Sequence, residues 1–368
     1  MLTRRVVLKH AGAYAGASLM AWQVSAQAQN PTQWRMPDEG EPHLRTWMSF
    51  GASAEIWGDE LLPDVQRNLA ELARTIAKYE PVLMLVRRQD AATAQQMVQG
   101  ANVTLVEAAV DDLWVRDTGP SFVVSTAKSG ERAGVGLNFN GWGNKQAHAN
   151  DAKVAALVAG KAGVPLLRTP LVMEGGCIEV DGRGTAIVTE SCVLNDNRNA
   201  GLGKLAIEAE LKRIFRLSHI IWLPGIKGRD ITDGHTDFYA RFASPGVILA
   251  GFDPDPQSYD HAVTKAHLQI LRNAKDAQGK KFEVMVMRAP DAFNTKYDAA
   301  TFAAGYIGFY LCNGAVIAQK FGVAKADRAA RTLLQQVFPG RVVEQLRMDA
   351  IAAGGGSVHC ATQQEPKV

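Results

Sequence analysis

Strand, tight turn, strand, helix, strand: the hydrophobic pattern of this chain returns to that order several times, and few architectures absorb such a repeat. In the clearest instance Cys177 to Val180 and Thr185 to Thr189 flank Asp181-Gly182-Arg183-Gly184, which reads as a hairpin. A helix at Lys204 to Phe215 and a strand at His219 to Leu223 follow. The next unit runs from His235 through a strand at Val247 to Ala250, a helix at His261 to Ala274 and a strand at Glu283 to Met287. Another begins near Asn313, with a strand at Ala315 to Gln319 and a helix at Ala324 to Phe338. Nearer the start, Leu44 to Phe50, Val82 to Val86 and Val103 to Glu107 read as strands. Between them, Leu62, Val65, Leu69, Leu72, Ala73 and Ile76 recur at helical spacing within Leu61 to Lys78, and Ala91 to Gln99 predicts a second helix. Asp117, Glu174, His235, Asn313 and Cys360 punctuate the pattern at intervals of 57, 61, 78 and 47 residues. That spacing predicts ββαβ units whose polar strand ends meet on one axis. Two ordinary α/β domains would produce a similar alternation, so periodicity alone leaves both open.

Of the 368 residues, 47% are hydrophobic, which excludes a disordered or fibrous chain. The 40 basic and 37 acidic residues overstate its charge, because Arg4, Arg5 and Lys9 stand in the first 28 positions with no acid among them. Thr3-Arg4-Arg5-Val6-Val7-Leu8-Lys9, an apolar stretch from Ala11 to Val24 and the small-residue site Ala26-Gln27-Ala28 resemble a twin-arginine export signal. The stretch is too short to span a bilayer. Residues 1–28 are therefore expected to be a removable signal peptide, residues 29–368 one folded domain, and the location periplasmic or exported. The remainder is formally neutral, so neither nucleic acid nor stable membrane insertion is expected, while a homo-oligomer is left open. Cys177, Cys192, Cys312 and Cys360 are too few for a disulfide scaffold, and no C-x-x-C or H-E-x-x-H pair offers a metal cage. No metal is expected, and Cys177 and Cys192 are expected to be free thiols.

Chemistry concentrates at the punctuation. Gly354-Gly355-Gly356 precedes Ser357-Val358-His359-Cys360 and allows close backbone approach before a candidate nucleophile. An isolated cysteine after such a loop is more often a small core residue. His359 is expected to point away from Cys360, because neighbours on an extended chain face opposite sides. Gly234-His235-Thr236-Asp237 would present an imidazole and a carboxylate on one strand face. Asp117, beside Trp114 and Arg116, suits either a turn cap or a site carboxylate. Glu174 precedes a glycine pair, and Asn195, Asn197, Arg198 and Asn199 read as structural. A thiol, an imidazole and three carboxylates at the heads of separate units describe a thiol pocket for a cation. Paired carboxylates match a planar guanidinium, whereas a cysteine protease has no use for them.

These residues resemble the agmatine deiminase family, within the guanidino-group-modifying superfamily that also contains bacterial peptidylarginine deiminases. The resemblance covers nearly the whole chain after residue 28. It rests on Trp114-Val115-Arg116-Asp117-Thr118-Gly119-Pro120, Asn138-Phe139-Asn140-Gly141-Trp142-Gly143, Glu174-Gly175-Gly176 with Asp181-Gly182, Asp233-Gly234-His235-Thr236-Asp237, and Gly354 through Pro366. It implies a single-domain five-bladed α/β propeller of ββαβ units, the pentein fold. It also implies that Cys360 attacks the guanidino carbon, His235 shuttles protons, Glu174 orients His235, Asp117 and Asp237 hold the guanidinium, and Trp114 flanks the aliphatic stem. Asp230 is a candidate for the distal amine. The implied reaction is hydrolysis of agmatine to N-carbamoylputrescine and ammonia without a cofactor, a step of polyamine metabolism. The alternatives are deimination of peptidylarginine and non-catalytic capture of cationic amines in the periplasm.

Overall fold

In the computed structural model, which describes residues 33–290, 293, 296–297 and 302–368, the strands assort into five separate sheets. The expected signal segment lies outside the described residues. Every sheet follows one plan, an antiparallel first pair and a helical crossover to a parallel third strand. Ser121–Ser125, Arg132–Gly136 and Leu166–Arg168 make one blade, with helix Val154–Ala162 as the crossover and Trp34–Arg35 added to its edge. Ile178–Val180, Thr185–Thr189 and His219–Leu223 make the next, crossed by Lys204–Phe215. Ala240–Ser244, Val247–Phe252 and Glu283–Arg288 follow, crossed by His261–Asn273. Tyr310–Cys312, Ala315–Gln319 and Val342–Leu346 form the fourth, crossed by Ala324–Val337.

The fifth blade draws on both regions of the chain. Its first strand, Thr362–Pro366, pairs antiparallel with His43–Ser49, which runs parallel to Val82–Val86 and through it to Val103–Glu107. Two helices, Ala54–Ile76 and Ala91–Val98, cover this sheet. Val65, Leu69, Leu72, Ala73 and Ile76 form one face of the longer helix and pack on Met48, Val82 and Met84. Burying each large aliphatic side chain there contributes roughly 2 kcal/mol. The assembly is the five-bladed α/β propeller, a single folded unit over its blades.

Three local expectations change. The first long helix begins at Ala54 rather than Leu61, because Gly58 at φ 69° lets a short extra turn precede the main run. Asn313 does not head a unit: it sits in the hairpin turn between Tyr310–Cys312 and Ala315–Gln319, where its side chain bonds both backbone groups of His43. His235 and Asp237 are not on a strand. His235 precedes the single turn Thr236–Phe238, which leads into Ala240–Ser244.

Four of the five blades share a further feature that positions the site. Short turns at Val115–Thr118, Gly175–Cys177 and Thr236–Phe238 precede three first strands, and a turn through Val358–Ala361 precedes Thr362–Pro366. A turn of helix rotates successive side chains by about a third of a revolution, so residues two or three apart can face one centre.

Candidate active site

Those four turns and the residues that cap them supply Asp117, Glu174, His235 with Asp237, and Cys360, all buried. Asp117 and Cys360 line a cavity of about 270 Å³ together with Trp57, Trp114 and Trp142, and Glu174, His235 and Asp237 are packed among those two, His235 Nδ1 3.8 Å from Asp117 and Asp237 3.6 Å from Cys360 Sγ. Cys360 Sγ lies 3.6 Å from Asp237 Oδ2 and 3.3 Å from Ser357 Oγ. Asp117 accepts from Trp142 Nε1 at 3.0 Å on one oxygen and from the Gly176 amide at 3.1 Å on the other. A side chain at position 176 would begin 2.4 Å from His235 Nδ1, so only glycine lets that amide and the imidazole share the space.

His235 stands between three carboxylates. Its Nε2 is 3.1 Å from Glu174 Oε2, and its Nδ1 lies 3.8 Å from Asp117 Oδ1 and 4.0 Å from Asp237 Oδ1. His235 Nδ1 and Asp237 Oδ1 are buried without a hydrogen-bond partner. Two unpartnered polar atoms, one a donor in the imidazolium form and one an acceptor, are costly unless a ligand completes them.

Burial opposes charge throughout, and specific partners reverse it in some groups. It works against the His235 imidazolium, yet Asp117 and the bond to Glu174 hold its pKa well above the ordinary value. Glu174 is likewise disfavoured by burial, but His235 and Arg198 draw its pKa down to about 2. Burial pushes Asp237 up, but His359, His235 and Arg241 together outweigh it, so Asp237 ends below the usual range. Asp117 is pushed up by burial and by the neighbouring Glu174 and Asp237, against the pull of His235. Burial first, then the Asp237 and Asp117 charges, push the Cys360 thiol well above its ordinary pKa. The resting site is thus an imidazolium, ionised Glu174 and Asp237, and a protonated thiol.

Several contributors were not picked out from the sequence. His359 lies in a turn rather than an extended segment, so it faces inward with Cys360. Its Nδ1 is 2.7 Å from Asp237 Oδ2 and its Nε2 2.8 Å from Glu39 Oε2. Glu39 also accepts from Arg116 and Arg241, which ties the turn that carries His359 and the nucleophile to the axis. Arg198, expected to be only structural, grips Glu174 with Nε at 2.9 and 3.0 Å from its two oxygens. Trp57 and Trp114 form the cavity wall, their ring centres 5.8 Å apart. A side chain at Gly354 would begin 2.1 Å from Trp57, and one at Gly356 2.2 Å from Trp114, which explains the glycine run. Asp112 anchors that wall, accepting from Trp57 Nε1 at 2.7 Å and Gln146 Nε2 at 3.0 Å.

Asp230 is not brought to the cavity. Its carboxylate accepts from the Thr232 amide and hydroxyl and the Gly234 amide, while the next two residues, Ile231 and Thr232, reach the lining. The expectation for the distal amine is therefore corrected: local turn geometry consumes this acid. Glu174, Cys177, Cys192 and His235, scattered in sequence, bring metal-type donor atoms within 4.8 Å of one another.

The pattern that defines the Porphyromonas-type peptidyl-arginine deiminases matches residues 35–366. A protein of Streptomyces coelicolor is 39% identical over 341 residues, which cover 91% of this chain and 99% of its own. The agmatine deiminase of Ectopseudomonas mendocina is 35% identical over 355 residues, covering 90% of this chain and 95% of that one. Among solved structures, an agmatine deiminase of Enterococcus faecalis superimposes with a TM-score of 0.87 at 30% identity, over 92% of this chain and 98% of that one.

Proposed function

The chain belongs to the family of Porphyromonas-type peptidyl-arginine deiminases, and on that premise we propose that it hydrolyses agmatine to N-carbamoylputrescine and ammonia through an amidino-cysteine. Likeness to agmatine deiminases over nearly the whole length of both chains supports this substrate. The observation that carries the mechanism is the unpartnered pair, Asp237 Oδ1 and His235 Nδ1, with the second Asp237 oxygen 3.6 Å from Cys360 Sγ.

Asp117 and Asp237 accept hydrogen bonds from the guanidinium, which fixes its plane and holds its carbon against sulfur. The bound cation offsets the two carboxylate charges that, with burial, kept the thiol protonated, so Cys360 ionises and its proton passes to solvent, where the ammonia released later takes it up as ammonium. Sγ then bonds to the guanidino carbon and gives a tetrahedral adduct. His235, oriented through Nε2 by Glu174, donates the Nδ1 proton to the departing nitrogen. The C–N bond breaks and ammonia leaves. His235, now neutral, takes a proton from the water that attacks the amidino carbon, and the C–S bond breaks to return the thiol. Trp114 flanks the aliphatic stem. The guanidinium form of agmatine and water in, N-carbamoylputrescine and ammonium out, balance over the cycle.

Ammonia release, with mass spectrometry of the products, from agmatine, free arginine and a peptide ending in arginine tests the reading. Conversion of agmatine alone supports it. Turnover of the peptide alone would move the substrate to peptidylarginine, and agmatine binding without turnover would sink the enzymatic reading. The twin-arginine-like segment supports periplasmic location; replacing Arg4 and Arg5 by lysine should retain the protein in the cytoplasmic fraction.

A further inference from the structure

Two thiols that deimination leaves unused lie directly behind its base. Cys177 closes the turn Gly175–Cys177, and Cys192 lies in the short helix Glu190–Val193 on the far side of the intervening hairpin. Both are buried free thiols, with Sγ atoms 2.8 Å apart. Nonbonded carbon atoms rest about 3.5 to 4.0 Å apart and sulfur is larger, so the two side chains meet well inside ordinary contact. Together with Glu174 and His235 they form the donor cluster noted above. A tetrahedral zinc ion with bonds of about 2.3 Å would hold two sulfurs ~3.7 Å apart. The pair is too close for that, and the Arg198 guanidinium on Glu174 opposes a further cation. Its spacing favours a covalent bond.

We propose that Cys177 and Cys192 are a site of reversible oxidation, closed to a disulfide by an oxidant of the peroxide class. Cys192 attacks one oxygen of hydrogen peroxide; the O–O bond breaks, Cys192 becomes a sulfenic acid, and the other oxygen leaves as water with the thiol proton. Cys177 then attacks the sulfenic sulfur; the S–O bond breaks, and the hydroxyl leaves as a second water with the Cys177 proton. Two thiols lose two electrons in all, and one peroxide gains them. The order of attack follows from the surroundings. Burial opposes both thiolates, but the Cys177 hydrogen bond, His235 and Arg198 bring Cys192 below its ordinary pKa, while Cys177 stays well above. The disulfide would remove two thiol donors from Glu174 Oε2, which lies 3.0 Å from Cys177 Sγ and 3.6 Å from Cys192 Sγ. Oxidation would thus be felt by the carboxylate that orients His235. This inference does not depend on which guanidine is the substrate.

The experiment uses the Cys360→Ala protein, which retains Cys177, Cys192 and Cys312. After treatment with hydrogen peroxide, unfolding and alkylation, one thiol rather than three should be labelled, a non-reducing peptide map should link Cys177 to Cys192, and dithiothreitol should restore all three. Adding Cys177→Ser should abolish the link and leave Cys192 and Cys312 outside any disulfide. Three labelled thiols after peroxide, a link through Cys312, or a stoichiometric zinc ion retained by the reduced protein and lost with Cys177→Ser would overturn the proposal.

Discussion

Cys360 rests in the wrong form to attack, because burial and then two carboxylates suppress its thiolate, and those carboxylates are the ones that would bind the substrate. Charge on the incoming molecule should therefore control reactivity. A cationic haloacetamidine is expected to alkylate Cys360 at least ~10-fold faster than the neutral haloacetamide, each tenfold corresponding to about 1.4 kcal/mol of differential interaction. Equal rates, measured by intact mass over time, would remove the role given to Asp117 and Asp237. His359 acts one step further out, as the donor that keeps Asp237 ionised. His359→Gln should lower kcat/KM for agmatine by roughly 10- to 100-fold, the worth of a hydrogen bond to a charged group. It should also move the acid limb of the pH profile upward, because Asp237 would protonate at higher pH. A uniform loss with an unmoved limb would mark His359 as merely structural.

The strands and helices were largely legible as elements, since hydrophobic period and turn chemistry are local properties. What surrounds them was less so. The fourth blade was entered at Asn313, because an Asn-Gly hairpin turn looks the same whether it opens a unit or sits inside one. The glycine run before Cys360 signalled a close approach, but only packing shows that two indoles make it. Gly356→Ala should displace Trp114 and raise KM for agmatine several-fold, read in steady-state assays, with circular dichroism unchanged. The closing strand makes a sharper demand. Glu365, fully buried on Thr362–Pro366, accepts from Trp47 Nε1 at 2.9 Å and pairs with Arg132 at 3.0 Å and Arg45 at 3.4 Å. Glu365→Ala leaves those partners uncompensated, and about 3 to 5 kcal/mol of stability should disappear in urea unfolding.

Across the whole molecule, the pH response follows from groups buried near the axis. Glu174 has its folded pKa drawn from 4.5 to about 2, so its contribution is present above pH 4.5 and is lost as pH falls through 2. The window is worth ~3 kcal/mol. His235 has its pKa raised, so its contribution is fully present below about 6.5 and is lost as pH rises through the folded value. Glu174→Gln should flatten the acid side of a plot of urea midpoint against pH; an unchanged slope between pH 4.5 and 2 would contradict the assignment. The network behind this response was the part least accessible from sequence. Glu39 and His359 are 320 positions apart, and neither propensity nor spacing relates residues that only ring closure brings together. Arg198 and Glu174 are only 24 positions apart, yet their contact was hidden too, because it depends on how the chain folds back after the hairpin rather than on any local period. That closure also has a consequence in time. A ribosome makes the chain in order, and Thr362–Pro366, which pairs with His43–Ser49, emerges after every other strand of the ring. Cys360 stands two residues before it. Nascent chains can carry the acids and the base, but the nucleophile joins them only as the ring shuts, so half-made enzyme is chemically silent.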